Sequence, residues 1–391
     1  MSEKMPEKMY DNNENCFLRE FRLFFILLRV FGIEMPGHSS QTKEIMEDKK
    51  MKLIPCFHAF LRCILILILC LATINAILWL IILPRGSKEI ASTFLTLSVE
   101  LFYVLIFRRR QAIMRITERL RKIWNTLKPR YNVIRMEREK WMYTFYFIFI
   151  QVLFVIWSIM FSSAVHMRAE NLQKFFEGLK FPSYLSFFLS WVILITELLF
   201  SFITKLIFSA FVIYYSLICR VIRLLFGHLL DVLRRPMFIQ ELRNLLENYE
   251  KITKSMRKVD KEFSLPAFIT IITSMIGLFW GGYRLAFRQH MSNEYLISLV
   301  CSVSCYLTFQ LLIMISASMA NEMEKKARSS IKCLKCRVSR DLRETKFKAV
   351  CTKESSLTLW KIYVLDRSLL ITSFGTLLTY GILIGTLGEE G

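Results

Sequence analysis

Seven stretches of apolar sequence, each close to the length of a bilayer crossing, constrain the fold of this chain more than any other feature. We number them spans 1 to 7, and they occupy residues 63–83, 90–107, 142–165, 184–219, 265–287, 295–320 and 369–387. A helix needs about 20 residues to cross the hydrocarbon core, because lipid offers no hydrogen-bond partner to an open backbone. The sequence therefore predicts an all-α, seven-transmembrane helical membrane protein, a multi-pass protein of the plasma membrane.

Span 4 lies in a longer apolar region that has room for two crossings, since residues 181–219 contain only two charged side chains, Glu197 and Lys205. The distribution of Lys and Arg decides the matter. With one crossing, segments 1–56, 108–140, 220–262 and 321–354 hold 42 basic residues on the side of the N-terminus, and segments 84–89, 166–182, 284–294 and 388–391 hold 7 on the other. With two crossings, the same segments divide 23 against 26. Cytoplasmic loops carry the excess of basic residues, so one crossing is favoured. The prediction is a long helix 4, about 181–225, with a cytoplasmic N-terminus and an extracellular C-terminus.

The same topology divides the chain into three parts. Residues 1–56 form a cytoplasmic N-terminal segment, and 57–354 hold spans 1 to 6 with their basic cytoplasmic loops. Residues 355–391 are predicted to be a cytoplasmic helix that leads into helix 7, about 369–387, and a short extracellular tail. The net charge of +21 lies almost entirely in the inner segments. It therefore marks topology and contact with membrane lipid, and it does not indicate nucleic acid as a partner.

The sequence carries no recognisable catalytic motif. Its five His residues are scattered, and it has no HExxH, Walker, GxSxG or GxGxxG sequence. We therefore predict no enzymatic activity, no cofactor and no metal site. A G-protein-coupled receptor is an alternative, but its N-terminus would be outside, and none of the ten Cys here lies in a predicted outer loop. A membrane transporter is another, although no internal repeat or pair of broken spans is visible.

Two acidic residues lie inside spans, where an ionisable side chain is costly and is by default a candidate for function. Glu100 of span 2 stands among Thr and Ser side chains that form a polar stripe. Glu197 of span 4 has Lys205 about two turns along the same helix, which favours an ion pair or a packing role. Glu100 is therefore the acidic candidate for ligand binding, with a structural role as its alternative.

Large aromatic side chains gather toward the predicted outer ends of spans 3 to 6. A cavity between helices that is lined by indole and phenol rings with a few hydroxyls is typical of a small-molecule site. The candidate ligand-binding residues besides Glu100 are Trp157, Ser158, Trp191, Trp280, Tyr283 and Tyr306. The alternative is a belt of Trp and Tyr at the membrane interface, which would also place aromatic residues near span ends.

Span 7 is rich in Thr and Gly but carries no charge. Steps of four and three residues place five of its side chains on one helical face: Thr372, Thr376, Thr379, Leu383 and Thr386. Several copies of this stripe around an axis would enclose a cation pathway, with a narrow ring at Leu383 or Leu387 and the acidic Glu390 at the mouth. Gly381 and Gly385 lie on another face at the spacing of close helix contacts. The alternative is a bundle helix whose Thr hydroxyls bond the carbonyls four residues back.

The residues around this stripe resemble a known motif. Residues 365–370 read Leu-Asp-Arg-Ser-Leu-Leu, and Thr379-Tyr380 is followed by five mostly apolar residues. With the seven spans and the inner N-terminus, this resembles the C-terminal pattern of the insect gustatory receptors, in which Thr-Tyr and five apolar residues precede Gln-Phe. The Gln-Phe positions, near the gate of that family, correspond to Thr386 and Leu387 here, so the gate residues differ.

What the resemblance implies is a ligand-gated, non-selective cation channel, a homo- or heterotetramer with other gustatory receptors whose last helices line the pore. In that family the inner ends of helices 4 to 7 form a cytoplasmic anchor domain, and ligands bind in the outer half of each subunit. The pore or gate candidates are then Thr379, Tyr380, Leu383, Thr386, Leu387 and Glu390. The expected function is a gustatory chemoreceptor opened by a small tastant, a sugar or a bitter compound. An odorant-receptor-type channel is a further alternative, and Thr379-Tyr380 favours the gustatory branch.

Overall fold

The computed structural model describes residues 63–64, 66–74, 87–127, 145–146, 148–153, 155–156, 173, 178, 182–235, 239–287, 293–335 and 355–388, so the predicted segment 1–56 lies outside the described residues. The elements of this part are α1 (Ser87–Arg108), α2 (Arg110–Leu127), α3 (Ser183–Leu233), α4 (Ile239–Phe287), α5 (Asn293–Lys335), β1 (Thr358–Leu359), β2 (Tyr363–Val364) and α6 (Arg367–Gly388). Residues 66–74 and 148–153, in spans 1 and 3, are also helical. We call the two ends of the bundle inner and outer, after the predicted topology.

The longest helices run far past the predicted spans. Three described helices are long and apolar enough to cross a membrane: Ser183–Leu233, Gln240–Ala286 and Asn293–Cys333. Helix α3 is continuous over 51 residues, with no turn in its apolar sequence, and it extends past the inner end predicted for helix 4. α4 begins well before span 5 and α5 ends well after span 6. Much of what the sequence presents as basic loops is therefore helical.

The inner extensions of α3, α4 and α5 pack together with α2. Helix α2 is amphipathic, and one face is buried at Ala112, Ile113, Ile116, Thr117, Leu120, Ile123 and Trp124. Tyr214 of α3 is fully buried, and its hydroxyl donates a 3.1 Å hydrogen bond to the Ile113 carbonyl. The same hydroxyl lies 3.2 Å from that of Thr117. An apolar face and a buried polar link thus fix α2 across α3.

The segment between α5 and α6 corrects one prediction. Residues 355–366 are expected to be helical, whereas the structure has the antiparallel hairpin β1-β2, in which Thr358 pairs with Val364 and Leu359 with Tyr363. Trp360 and Lys361 in its loop have φ angles of 47° and 60°. This left-handed region is incompatible with a right-handed helix of L-residues. The last helix therefore starts at Arg367, directly after the hairpin.

A buried acidic side chain links α5 to α4 in the inner extensions. Tyr249 of α4 donates a 3.0 Å hydrogen bond to Glu324 Oε1, and Arg328 Nε lies 3.5 Å from the same oxygen. Glu324 is 1% exposed, so water does little to stabilise its charge. Burial and then the charge of Glu324 raise the pKa of Tyr249, which keeps its hydroxyl protonated as the donor.

Replacement of Glu324 by Ala should destabilise the protein by about 3–5 kcal/mol, because it removes the buried acceptor that Tyr249 and Arg328 share. Thermal unfolding of the purified protein in detergent measures the loss. Glu247→Ala is the matched control, since Glu247 pairs with Lys251 at 2.9 Å on an exposed surface, where such pairs contribute about 0–1 kcal/mol. Equal losses in the two variants would contradict the importance of burial.

Candidate functional site

Two glycines allow close contact between the outer halves of α4 and α5. A Cβ added to Gly277 would lie 2.5 Å from the ring of Tyr306, and one added to Gly281 would overlap Cγ2 of Val303. Only a residue without a side chain fits at such distances. The two glycines are four residues apart, the spacing that puts small residues on one helix face. Tyr306, a predicted ligand-binding residue, therefore packs directly against the backbone of α4.

An aromatic and cationic cluster lies next to this contact. Trp280 and Tyr283 stack with ring centroids 6.1 Å apart and planes inclined by 16°. The Arg284 guanidinium lies 5.3 Å from the centroid of the Trp280 ring, and its Nη1 donates a 2.8 Å hydrogen bond to the hydroxyl of Tyr295 on α5. The structure thus brings two predicted site residues together and adds Arg284 and Tyr295, which the sequence analysis missed. Aromatic faces beside a cation and phenol groups suit a small ligand with a ring and a hydroxyl.

Trp191 stands on a different helix. It lies near the outer end of α3, where its ring packs edge-on against Phe187 with centroids 6.2 Å apart. Trp191 is 36% exposed, and its neighbours Tyr184 and Phe188 are more exposed still. Exposed rings at a helix end are typical of the interfacial belt that is the alternative to a ligand site. The other predicted residues of this region, Trp157 and Ser158, lie outside the described residues.

Glu100 is partly buried and faces span 1. Its Oε1 accepts a 2.6 Å hydrogen bond from the hydroxyl of Thr73, which also lies 2.8 Å from the Leu69 carbonyl in its own helix. The carboxylate therefore joins α1 to the helical residues of span 1. This contact fits the structural alternative for Glu100. The carboxylate is also a polar group inside the bundle, where a ligand could compete with it for the Thr73 hydroxyl.

Lys205 is a further candidate for a functional role. The sequence analysis considers it only as an ion-pair partner of Glu197, and the side chain of Glu197 is not among those described. Lys205 is buried in α3, next to the thiols of Cys301 and Cys305 on α5. Lys205 could be found from the sequence because it is an ionisable residue within a span. Its neighbours could not, because they lie on a helix far along the chain. Among the described residues, no group of three or more His, Cys, Asp or Glu side chains is placed to hold a metal ion.

The predicted hydroxyl stripe of α6 faces away from the rest of the described chain. Thr372, Thr376 and Thr379 are all exposed. Their hydroxyls donate to the carbonyls four residues back, at 3.0, 2.9 and 2.8 Å. This is the bonding of the bundle-helix alternative, and it satisfies the hydroxyl hydrogens inside the helix. The hydroxyl oxygens stay exposed, so the same face can also line a polar pathway.

A side of α6 that lies about 100° around the helix from the centre of the stripe packs on α5. The contact is a buried hydrogen bond of 3.1 Å from Gln310 Nε2 to the Ser373 hydroxyl. Exposed apolar side chains stand beside the stripe at Ile371, Leu378 and Ile382. They lie within about 100° of the edge of the stripe around the helix axis. A Cβ at Gly381 would have no atom of the described chain within 4 Å. The close contact predicted at Gly381 is therefore not made within the described part of one subunit.

The remaining pore candidates fall near or beyond the end of α6. The backbone of Tyr380, Leu383, Thr386 and Leu387 continues the helix that carries the stripe, while their side chains are not among those described. Glu390 lies outside the described residues. The predicted gate positions are therefore on the same helix as the exposed Thr hydroxyls.

Residues 53–384 match the sequence model of the family described as 7tm Chemosensory receptor. The chain belongs to this family. The receptor also resembles the insect olfactory receptor OR5 from Machilis hrabei in complex with eugenol, with 16% identity, a TM-score of 0.65 and coverage of 97% of this chain and 99% of that chain. A second structure of OR5 gives a TM-score of 0.60 at 16% identity, covering 94% and 98% of the two chains. No curated protein is a significant match to the sequence.

These matches confirm the fold class and the membrane location. The family match spans most of the chain, and the structural match spans nearly all of it. The receptor is therefore a predominantly helical, multi-pass membrane protein with the seven-span fold of an insect chemosensory receptor. At 16% identity the likeness to OR5 carries the fold alone.

Proposed function

We propose that the receptor is a gustatory chemoreceptor that works as a ligand-gated, non-selective cation channel. In this proposal the N-terminus is cytoplasmic, the C-terminus is extracellular, and α6 from each of four identical or related subunits lines a central pore in the plasma membrane. The observation that carries the proposal is the exposed row of Thr372, Thr376 and Thr379 on α6. Several such rows around an axis make a hydroxyl-lined wall that partly replaces the water around a permeating cation.

The gate of this channel is proposed at the outer end of α6. Leu383 and Leu387 would form apolar constrictions, and Glu390 at the mouth would favour cations. Thr386 and Leu387 occupy the positions of Gln and Phe in the gustatory pattern, so leak and ion selectivity should differ from those of channels that keep that pair. The Thr379-Tyr380 pair supports the gustatory branch. An odorant-receptor-type channel is the second candidate, because the fold is common to both.

The ligand site is proposed between the outer halves of α4 and α5, at Trp280, Tyr283 and Tyr306. Two observations support it: the stacked pair of rings, and the polar link between Arg284 and Tyr295 beside it. OR5 was solved with eugenol, and a small aromatic compound of that kind suits these rings. A sugar face also stacks on indole and phenol rings, so sugars and bitter aromatic compounds are both candidate tastants. The other proposed contacts are Glu100, Trp157, Ser158 and Trp191.

Whole-cell recording from cells that express the receptor tests this function. We expect sucrose, fructose, caffeine or eugenol to evoke an inward cation current that survives a block of G-protein signalling. A current that disappears whenever G-protein signalling is blocked would contradict a directly gated channel and favour a G-protein-coupled mechanism.

The Trp280→Ala variant should need about tenfold more agonist for half-maximal current, because the ligand loses one of its two stacked rings. The Na⁺ to K⁺ permeability ratio of open channels should not change, since Trp280 is on α4 and not on α6. Trp191→Ala is the comparison, because it removes the same side chain from an exposed position on α3. Unaltered dose-response curves for both variants would show that the binding site lies elsewhere.

A further inference from the structure

The hairpin that precedes α6 has a buried neck. The Leu365 N–H donates to the Leu357 carbonyl at 3.0 Å, which closes the hairpin beyond its two paired strands. Both of these leucines are fully buried. The chain leaves the neck and enters α6 at Arg367. Contacts that hold the neck therefore also hold the start of α6.

Asn321 of α5 binds both sides of this neck. Its Nδ2 donates to the carbonyls of Leu357 and Leu365 at 3.1 and 2.7 Å, and its Oδ1 accepts from the Leu357 N–H at 2.8 Å. The side chain is 3% exposed. The side-chain amide thus pairs with the backbone on both sides of the neck. Because the amide is buried, water has little access to replace these hydrogen bonds.

Asp260 of α4 holds the adjoining residue of the hairpin. Its Oδ1 accepts hydrogen bonds from the N–H and the hydroxyl of Thr358, at 2.6 and 2.7 Å. The Trp360 N–H donates to the Ser264 carbonyl at 3.3 Å, and the Trp360 ring lies 5.3 Å from that of Phe268. Helices α4 and α5 therefore hold the same hairpin from two sides.

The hairpin has a backbone conformation that its own residues disfavour. Trp360 and Lys361 have φ angles of 47° and 60°, which place them in a backbone region that residues other than Gly rarely adopt. Such conformations persist where the surrounding contacts over-determine them. The contacts to α4 and α5 therefore impose the shape of the hairpin.

The connection from the neck into α6 is also fixed. The Leu369 N–H donates to Asp366 Oδ1 at 2.8 Å, which caps α6. Arg367 makes contacts of 2.5 and 2.9 Å with Glu322, the neighbour of Asn321. Toward the outer end, α6 presents its exposed hydroxyl stripe. Contacts within one subunit thus hold α6 at its inner end.

We infer that Asn321 and Asp260 are positioning residues for gating, which fix the start of α6 to α5 and α4. The inference rests on the proposed function, because it requires α6 to line the pore. Helices α4 and α5 carry the proposed ligand cluster at their outer ends. A ligand that shifts one of them against the other moves the two attachments of the hairpin apart or together, and the hairpin passes this displacement to α6.

The test is agonist-independent Na⁺ current per receptor at the cell surface, measured by recording together with surface biotinylation. A receptor must be mostly closed at rest to report a stimulus, so loosening α6 should raise this basal current. We expect Asn321→Ala to raise it about tenfold, and Thr358→Val about threefold, since in the latter the backbone N–H still binds Asp260. Thr358→Ser keeps the hydroxyl and should behave as wild type. Lys325→Ala, which alters an exposed side chain one turn along α5, should do the same.

A purely structural role for Asn321 predicts a different pattern, with fewer receptors at the surface and an unchanged current from each. That result, with Thr358→Val also unchanged, overturns the inference. Thr358→Val keeps the Asn321 bonds and supplies the test if Asn321→Ala fails to reach the surface. Wild-type responses to sucrose, fructose, caffeine and eugenol are recorded in parallel. If wild type responds but the variants show no added leak, only the inference fails; if no receptor conducts, the proposed function fails and the inference with it.

Discussion

A positively charged thiol reagent should block the cation current of a Thr376→Cys receptor by about tenfold or more. Thr376 is exposed on the hydroxyl stripe of α6, so in the proposed tetramer its side chain faces the pore. A methanethiosulfonate reagent with a quaternary ammonium group would then place up to four fixed cations in the path of the permeating ion, where repulsion is only weakly screened. The reagent is applied outside the cell in the presence of agonist, so that it can pass the proposed gate at Leu383 and Leu387. The rate and extent of block are read from the whole-cell currents.

Leu378→Cys is the matched control for this experiment. Leu378 is 66% exposed, but it lies about 120° around α6 from the centre of the stripe. Its thiol should face lipid or a neighbouring subunit and react slowly, with little effect on current. The wild-type receptor, with its native cysteines, sets the baseline. Block at Leu378→Cys without block at Thr376→Cys would mean that the other side of α6 lines the pathway.

Gly281→Ala should prevent most of the receptor from folding and reaching the cell surface. The added methyl group would overlap Cγ2 of Val303, a β-branched side chain with little freedom in a helix. Overpacking of this kind costs about 1–3 kcal/mol, and two stiff helices in contact leave few ways to relax it. Gly277→Ala should have a similar effect, because its Cβ would lie 2.5 Å from the Tyr306 ring. Surface biotinylation and size-exclusion chromatography in detergent measure both losses.

Gly282→Ala separates this steric effect from a general intolerance of substitution. A Cβ at Gly282 has no atom of the described chain within 4 Å, so this variant should fold as wild type. The double variant Gly281→Ala with Val303→Ala removes the overlapping methyl group and should recover part of the surface expression. Normal folding of Gly281→Ala alone would show that α4 and α5 are farther apart than the structure places them.

The distribution of charge along the sequence predicts the longest helix. Hydrophobic periodicity alone does not predict it. The distribution of basic residues favours one crossing for span 4, and the structure has one unbroken helix, Ser183–Leu233, over this region. Charge dominates the inner segments, so the sequence predicts loops there, although Ile113, Ile116 and Leu120 of α2 follow a helical period. Strands of two residues carry no such pattern, and Trp360 and Lys361 are not residues that signal a tight turn. The sequence therefore does not predict the hairpin.

The candidate site shows a similar division. Residue type and span position predict Trp280, Tyr283 and Tyr306 as candidates, because large rings near a span end are visible in the sequence. Their partners were not visible, since the Arg284 to Tyr295 bond and the Gly277 contact depend on how α4 crosses α5. The small-residue spacing predicts a close contact at Gly381 and Gly385, whereas the structure has one at Gly277 and Gly281, which share that spacing. Spacing alone does not tell which helix face meets a neighbour.

Reconstitution of the purified receptor into planar lipid bilayers tests the central claim, that this chain is itself a ligand-gated cation channel. With sucrose, fructose, caffeine or eugenol added, and with no nucleotide or other protein present, the account predicts discrete unitary currents carried by Na⁺ and K⁺ that are absent before ligand is added. A receptor that binds one of these ligands in the same membranes, yet passes no current at any ligand concentration, would contradict it.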